Sequence, residues 1–116
     1  MNDNVSGIKK EEYKSGYGTM IARVKEKYPT SKLYCMNLGY SAYHTAPSHG
    51  YYSEERRVEY NGVIKELSEE YGCTLINVAG IQTEYTYQKL LNDWLHPNEV
   101  GHSAICEVVR RTMESS

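Results

Sequence analysis

The chemistry in this chain concentrates in one stretch, Asp93-Trp94-Leu95-His96-Pro97-Asn98-Glu99-Val100-Gly101-His102. An aspartate three residues before a histidine, ahead of a helix, can set a carboxylate against an imidazole. The carboxylate fixes the tautomer and stabilises the imidazolium, and the free ring nitrogen then serves as a general base. Pro97 holds the chain just after His96, and Gly101 lets the backbone approach neighbouring structure closely. Asp-x-x-His alone arises often by chance. The longer run Asp-x-x-His-Pro-Asn-x-x-Gly-His is far more specific. His102 does not complete a His-Glu-x-x-His pattern, so no zinc site is expected there, and a structural hydrogen bond is the expected role of its ring. Trp94 is expected to pack as a wedge in the pocket wall. His44 and His49 read as surface residues, with a cleft lining as the alternative.

Three helices and two strands must position these groups. Residues 11–28 read as a helix, with Tyr13, Tyr17, Met20, Ile21, Val24 and Tyr28 making one apolar stripe. Pro29 ends it, because the residue before a proline is pushed out of the α region. Residues 32–38 form a short apolar run ending at Gly39 and read as a buried strand. A long connection, 39–53, follows. Ser53 is the expected N-cap of a second helix, whose stripe Tyr60, Ile64, Leu67, Tyr71 leads to Gly72 as C-cap. Cys73 to Ala79 reads as a second buried strand. Residues 80–97 form a second connection, with a helical turn expected around 87–91. Asn98 caps a last helix whose apolar face is Ala104, Ile105, Val108, Val109 and Met113.

Strands separated by helices imply a parallel sheet with helices on both faces. In such sheets sites form beyond the carboxyl ends of the strands, which here lead into the two long connections. Two strands are too few to cover three amphipathic helices, so element counting alone implies sheet lying before residue 1.

A chain of 116 residues is expected to form a single domain, 1–116. With 13 basic and 15 acidic side chains the net charge is −2, which gives no reason to expect nucleic acid or an anionic membrane as partner. The pairs Lys9-Lys10, Arg56-Arg57 and Arg110-Arg111 read as solvated helix surface. No apolar run approaches the roughly 20 residues that cross a bilayer, and residues 1–4 do not begin a signal peptide. Cys35, Cys73 and Cys106 lack Cys-x-x-Cys spacing and read as buried free thiols, which favours a reducing, cytoplasmic location. No cofactor or metal is expected. Twelve tyrosines and no phenylalanine mean that tyrosine supplies much of the aromatic packing.

The Asp93–His102 run resembles the last conserved block of the SGNH hydrolases, also called GDSL lipases or esterases. In that family an Asp and a His three residues apart complete a triad with a serine near the N-terminus. Residues 11–38 are similar to the helix and strand after the family's third block, and Tyr60-Asn61 through Ala79 to its next helix and last strand. The opening Met1-Asn2-Asp3 is similar to the second half of the family's Gly-x-Asn-Asp block, as though the chain began inside it.

The resemblance implies a flavodoxin-like three-layer αβα fold with a parallel sheet, here an incomplete version with about two strands and three main helices. It implies an esterase or acylhydrolase acting on a small ester, such as an acetyl group on a carbohydrate. His96 would be the base, Asp93 its orienting carboxylate and Asn2 the oxyanion-hole amide. The Gly-Asp-Ser block that carries the family's nucleophile is absent from the sequence. Ser41, in Gly39-Tyr40-Ser41-Ala42-Tyr43, lacks the closing glycine of a nucleophile elbow and reads as a loop serine. The chain alone is therefore expected to be inactive. The alternative is a non-catalytic module that binds a missing N-terminal half, or a second copy of itself, through an exposed edge at residues 32–38.

Overall fold

The computed structural model describes residues 6–39, 53–83 and 97–116. Within them run helix α1 (Lys10–Lys27), strand β1 (Tyr34–Met36), helix α2 (Glu54–Tyr71), strand β2 (Thr74–Ile76), a 3₁₀ helix (Val78–Thr83) and helix α3 (Glu99–Ser115). The strands pair in parallel, with Tyr34 opposite Thr74, Cys35 opposite Leu75 and Met36 opposite Ile76. This is an α/β architecture with helices on both faces of a two-stranded parallel sheet. It is consistent with an incomplete flavodoxin-like fold.

Period-2 alternation sorts the strand residues onto two faces. Leu33, Cys35, Cys73 and Leu75 face α1 and α2, where they join Ile21, Val63, Ile64 and Leu67. Tyr34, Ile76 and Val78 face α3, whose Ala104, Ile105, Val108 and Val109 complete the second cluster with Ile81. The strands are shorter than the apolar runs 32–38 and 73–79 suggest. Apolar character marks burial, whereas a strand needs a hydrogen-bonded neighbour. Leu38 packs into the core without belonging to the ladder, and Leu33 contributes to it only a carbonyl, which accepts from Thr74 N–H at 2.9 Å.

The helix ends follow from residue type. The Ser53 hydroxyl accepts from Arg56 N–H at 3.1 Å, and Glu54 and Glu55 sit in the first turn, where the helix dipole favours negative charge. Gly72 closes α2 in the left-handed region at φ 69°, where a side chain would be strained. Asn98 Oδ1 accepts from Gly101 N–H at 2.9 Å and caps α3.

The expected stripe on α2 is buried along its length, except for a half-buried Tyr71. On α1 only part of the expected stripe is. Ile21 and Gly18 are buried and Tyr13 and Tyr17 half-buried, but Met20, Val24 and Tyr28 are exposed. Gly18 is buried where α1 meets α2, and a Cβ there would meet Leu67 at 3.5 Å, an ordinary van der Waals contact. On α3 Met113 is exposed, with no described element covering it. No described helix is long and apolar enough to cross a membrane.

Candidate functional site

Of the residues singled out by sequence, Asn2, Asp93 and His96 lie outside the described residues, as do Ser41, His44, His49, Trp94 and the turn expected at 87–91. What is described is the frame at the carboxyl ends of β1 and β2, from which both long connections depart, together with the start of α3 to which the second returns.

A polar network holds that edge. The amide of Asn61, on α2, pairs in both directions with the backbone of Leu38. It accepts from Leu38 N–H at 2.7 Å and donates to Leu38 C=O at 2.9 Å. Such pairing satisfies a donor and an acceptor that the short ladder leaves unused. Arg57 donates to the same carbonyl at 3.0 Å, and its guanidinium forks onto the Glu54 carboxylate. Arg57 is only 7% exposed, unlike the solvated surface expected of the Arg56-Arg57 pair. Burial is tolerated because the charge is paired and hydrogen-bonded. By contrast Arg110 and Arg111 lie exposed beside Glu107, and Arg110 also bridges Glu114.

One step along the chain, Asn37 Nδ2 donates to Asn77 Oδ1 at 2.9 Å, joining the residues that follow the two strands. Asn37 Oδ1 accepts from Ala79 N–H at 2.9 Å, and Asn77 Oδ1 also accepts from Gly80 N–H at 3.1 Å. These two acceptors satisfy N–H groups in the first turn of the 3₁₀ helix. Nothing in the sequence flagged the pair, whose members are 40 residues apart. The detectable signal was a single Asn near the end of each apolar run.

On the N-terminal side, Tyr60 is fully buried, stacks on Tyr13 with ring centroids 3.9 Å apart, and donates its hydroxyl to Ile8 C=O. This anchors the segment entering α1, six residues beyond Asn2, against α2. On the C-terminal side, the Asn98 cap and buried Gly101 fix the start of α3 two residues after His96. His102 is exposed on α3, and its ring makes no hydrogen bond among the described residues, contrary to the structural bond expected of it.

The thiols also divide. Cys35 is buried as expected and Cys73 is half-buried, but Cys106 is exposed on α3. Burial, reinforced by neighbouring Cys35, raises the Cys73 pKa above the ordinary thiol range, with Lys25 opposing the shift. Burial likewise raises that of Tyr17, next to Cys35. Among the described residues no three His, Cys, Asp or Glu side chains gather in a way that could hold a metal ion.

Comparison with known proteins gives a family model, described as the GDSL-like Lipase/Acylhydrolase family, that matches residues 1–104. Two solved structures share the fold. One is LAE5, an alpha/beta hydrolase enzyme from the metagenome of Lake Arreo, Spain, with TM-score 0.68 and 20% identity over 90% of this chain and 47% of that one. The other comes from Parabacteroides merdae and is assigned as a GDSL-like lipase, with TM-score 0.74 and 15% identity over 92% of this chain and 50% of that one. The chain thus spans about half the length of the solved structures it matches. No curated protein matches it.

Proposed function

The chain belongs to the GDSL-like lipase/acylhydrolase family, and on that premise we propose that it supplies part of the active site of a serine-type ester hydrolase. His96 is the general base that takes the proton of an attacking serine and returns it to the leaving alcohol. Asp93 holds the imidazole in the working tautomer and stabilises its charged form. The Asn2 side-chain amide donates to the oxyanion of the tetrahedral intermediate. The substrate class is a small acyl ester, with an acetyl group on a carbohydrate the first to try.

One observation carries this reading: a single family match runs through Asn2, Asp93 and His96 together. The described frame supports it. The structure anchors the chain shortly after Asn2, through Tyr60 and Ile8, and shortly after His96, through the Asn98 cap.

The serine is the group that splits ester hydrolysis into two easier steps. Since the sequence holds no Gly-Asp-Ser, the 116-residue chain on its own gives no His96-dependent burst with p-nitrophenyl acetate. Stopped-flow absorbance checks this. A burst abolished by His96→Ala would place a working nucleophile within these residues and overturn that part of the proposal.

A second reading, a self-associating or half-completing module, is favoured by β1. Met36 on that strand is 43% exposed, and among the described residues no strand lies on its outer side. Sedimentation velocity tests it. Association weakened by Met36→Lys is the expected result, and a monomer with one cooperative melt argues against it.

A further inference from the structure

Two thiols that the ester chemistry does not use meet inside the first core cluster. Cys35 is buried among the residues that α1 and α2 pack onto the sheet, and Cys73 lies half-buried against it. In the parallel register Cys35 stands opposite Leu75. Cys73 comes two residues before Leu75, immediately ahead of β2, and faces the same way. The Cys35 sulfur is within hydrogen-bonding reach of both the Cys73 thiol and the Tyr17 hydroxyl on α1. Lys25, half-buried on the same helix, brings its ammonium near Cys73 while donating to Tyr71 C=O.

Sulfurs placed this way share a cation more readily than a covalent bond. Strands about 4.8 Å apart, with a rise of about 3.3 Å per residue, set the two Cα atoms about 8 Å apart on the diagonal, beyond the roughly 7 Å that a disulfide spans. A soft ion held by thiolate bonds of about 2.3 Å keeps the sulfurs roughly 4–5 Å apart and leaves the strands in place. No third His, Cys, Asp or Glu joins the pair among the described residues, which does not suit four-coordinate zinc. Two thiolates suit an ion that takes two soft ligands. We propose that Cys35 and Cys73 bind one monovalent thiophilic cation, of the copper(I) or silver(I) class. Each thiol gives up its proton to solvent, two sulfur–metal bonds form, and no electron moves. The complex carries one net negative charge, which the Lys25 ammonium offsets, and the Tyr17 hydroxyl donates to the Cys35 sulfur. The site uses none of the residues proposed for ester hydrolysis.

The test uses the full chain, reduced and anaerobic, with Cys106→Ser so that the exposed thiol takes no ion. The probe is copper(I) supplied as its bicinchoninate complex, whose colour fades as the protein withdraws the ion. One ion per chain is expected, seen also as a single adduct in native mass spectrometry. The melting temperature should rise with copper, because the ion binds the folded chain. Adding Cys73→Ser should weaken binding about a hundredfold, the advantage lost with a second ligand already held in place. Cys35→Ala should do the same, so either variant decides the matter if the other does not fold. Three results would each overturn the proposal: no copper withdrawn by the Cys106→Ser chain, equal affinity once Cys73 or Cys35 is replaced, or a melting temperature that falls with copper. The last would mean that the ion seizes the thiols of the unfolded chain.

Discussion

On one face of the sheet, α1 and α2 bury Tyr60, Val63 and Ile64 completely, whereas on the other, among the described residues, α3 alone lies over Ile76, Val78 and Ile81, and its own apolar residues Ala104, Ile105, Val108 and Val109 stay half-buried. The first face carries most of the packing. The second carries the helix entered just after His96. Met36, on the α3 side of β1, has no cover among the described residues. The contrast teaches that, among the described residues, the tightest packing lies between the sheet and α1 and α2, while the helix entered just after His96 lies over the less completely buried face.

Truncations on the two faces should therefore cost different amounts. Ile64→Ala removes a fully buried side chain and should destabilise by about 3 kcal/mol, through lost transfer energy and the cavity left behind. Val109→Ala, on the half-covered face, should cost about 1 kcal/mol. Urea unfolding followed by circular dichroism measures both. Equal losses would mean that the α3 face is covered as well as the other, and the contrast would collapse.

A smaller effect sharpens the same comparison through the thiols. Cys106, exposed on α3, should alkylate first. Cys73 should follow slowly, because its raised pKa keeps the thiolate scarce near neutrality, and its rate should climb at pH above the ordinary thiol range. Cys35 should react only on unfolding. The titratable groups acting on Cys73 are Tyr17 and Lys25 from α1 and Cys35 from β1. The sign for stability follows: above the ordinary thiol value the unfolded chain releases the Cys73 proton first, so stability falls as pH rises. Iodoacetamide labelling read by mass spectrometry across pH checks the order. Cys35 labelled as fast as Cys106 would show the α1–α2 face to be open.

Much of this architecture was legible in the sequence because it is local. Ser53, Gly72 and Asn98 cap helices through bonds to residues three or four positions away, so residue type alone locates them. The stripe Tyr60, Ile64, Leu67 is set by helical period. What was not legible depends on partners distant in sequence. Arg57 lies beside Arg56 in a charged run, and its burial rests on the Leu38 carbonyl, 19 residues away, together with nearby Glu54. Asn37, Asn61 and Asn77 look like ordinary loop or helix amides until the fold brings them together. Met20, Val24 and Met113 keep the apolar period, but no described element covers them, and period reports a capacity to be buried rather than burial itself. The Asp93–His96 pair was read from spacing within one short run, and Asn2 from family resemblance.

The central claim is that Asp93 and His96 work as a pair. Its most direct test is the His96 imidazole signal in the wild-type chain and in Asp93→Asn. The account predicts that the Asp93 carboxylate holds the imidazolium, so that the wild-type ring loses its proton at a higher pH than the variant. Superimposable titration curves for the two proteins would contradict it.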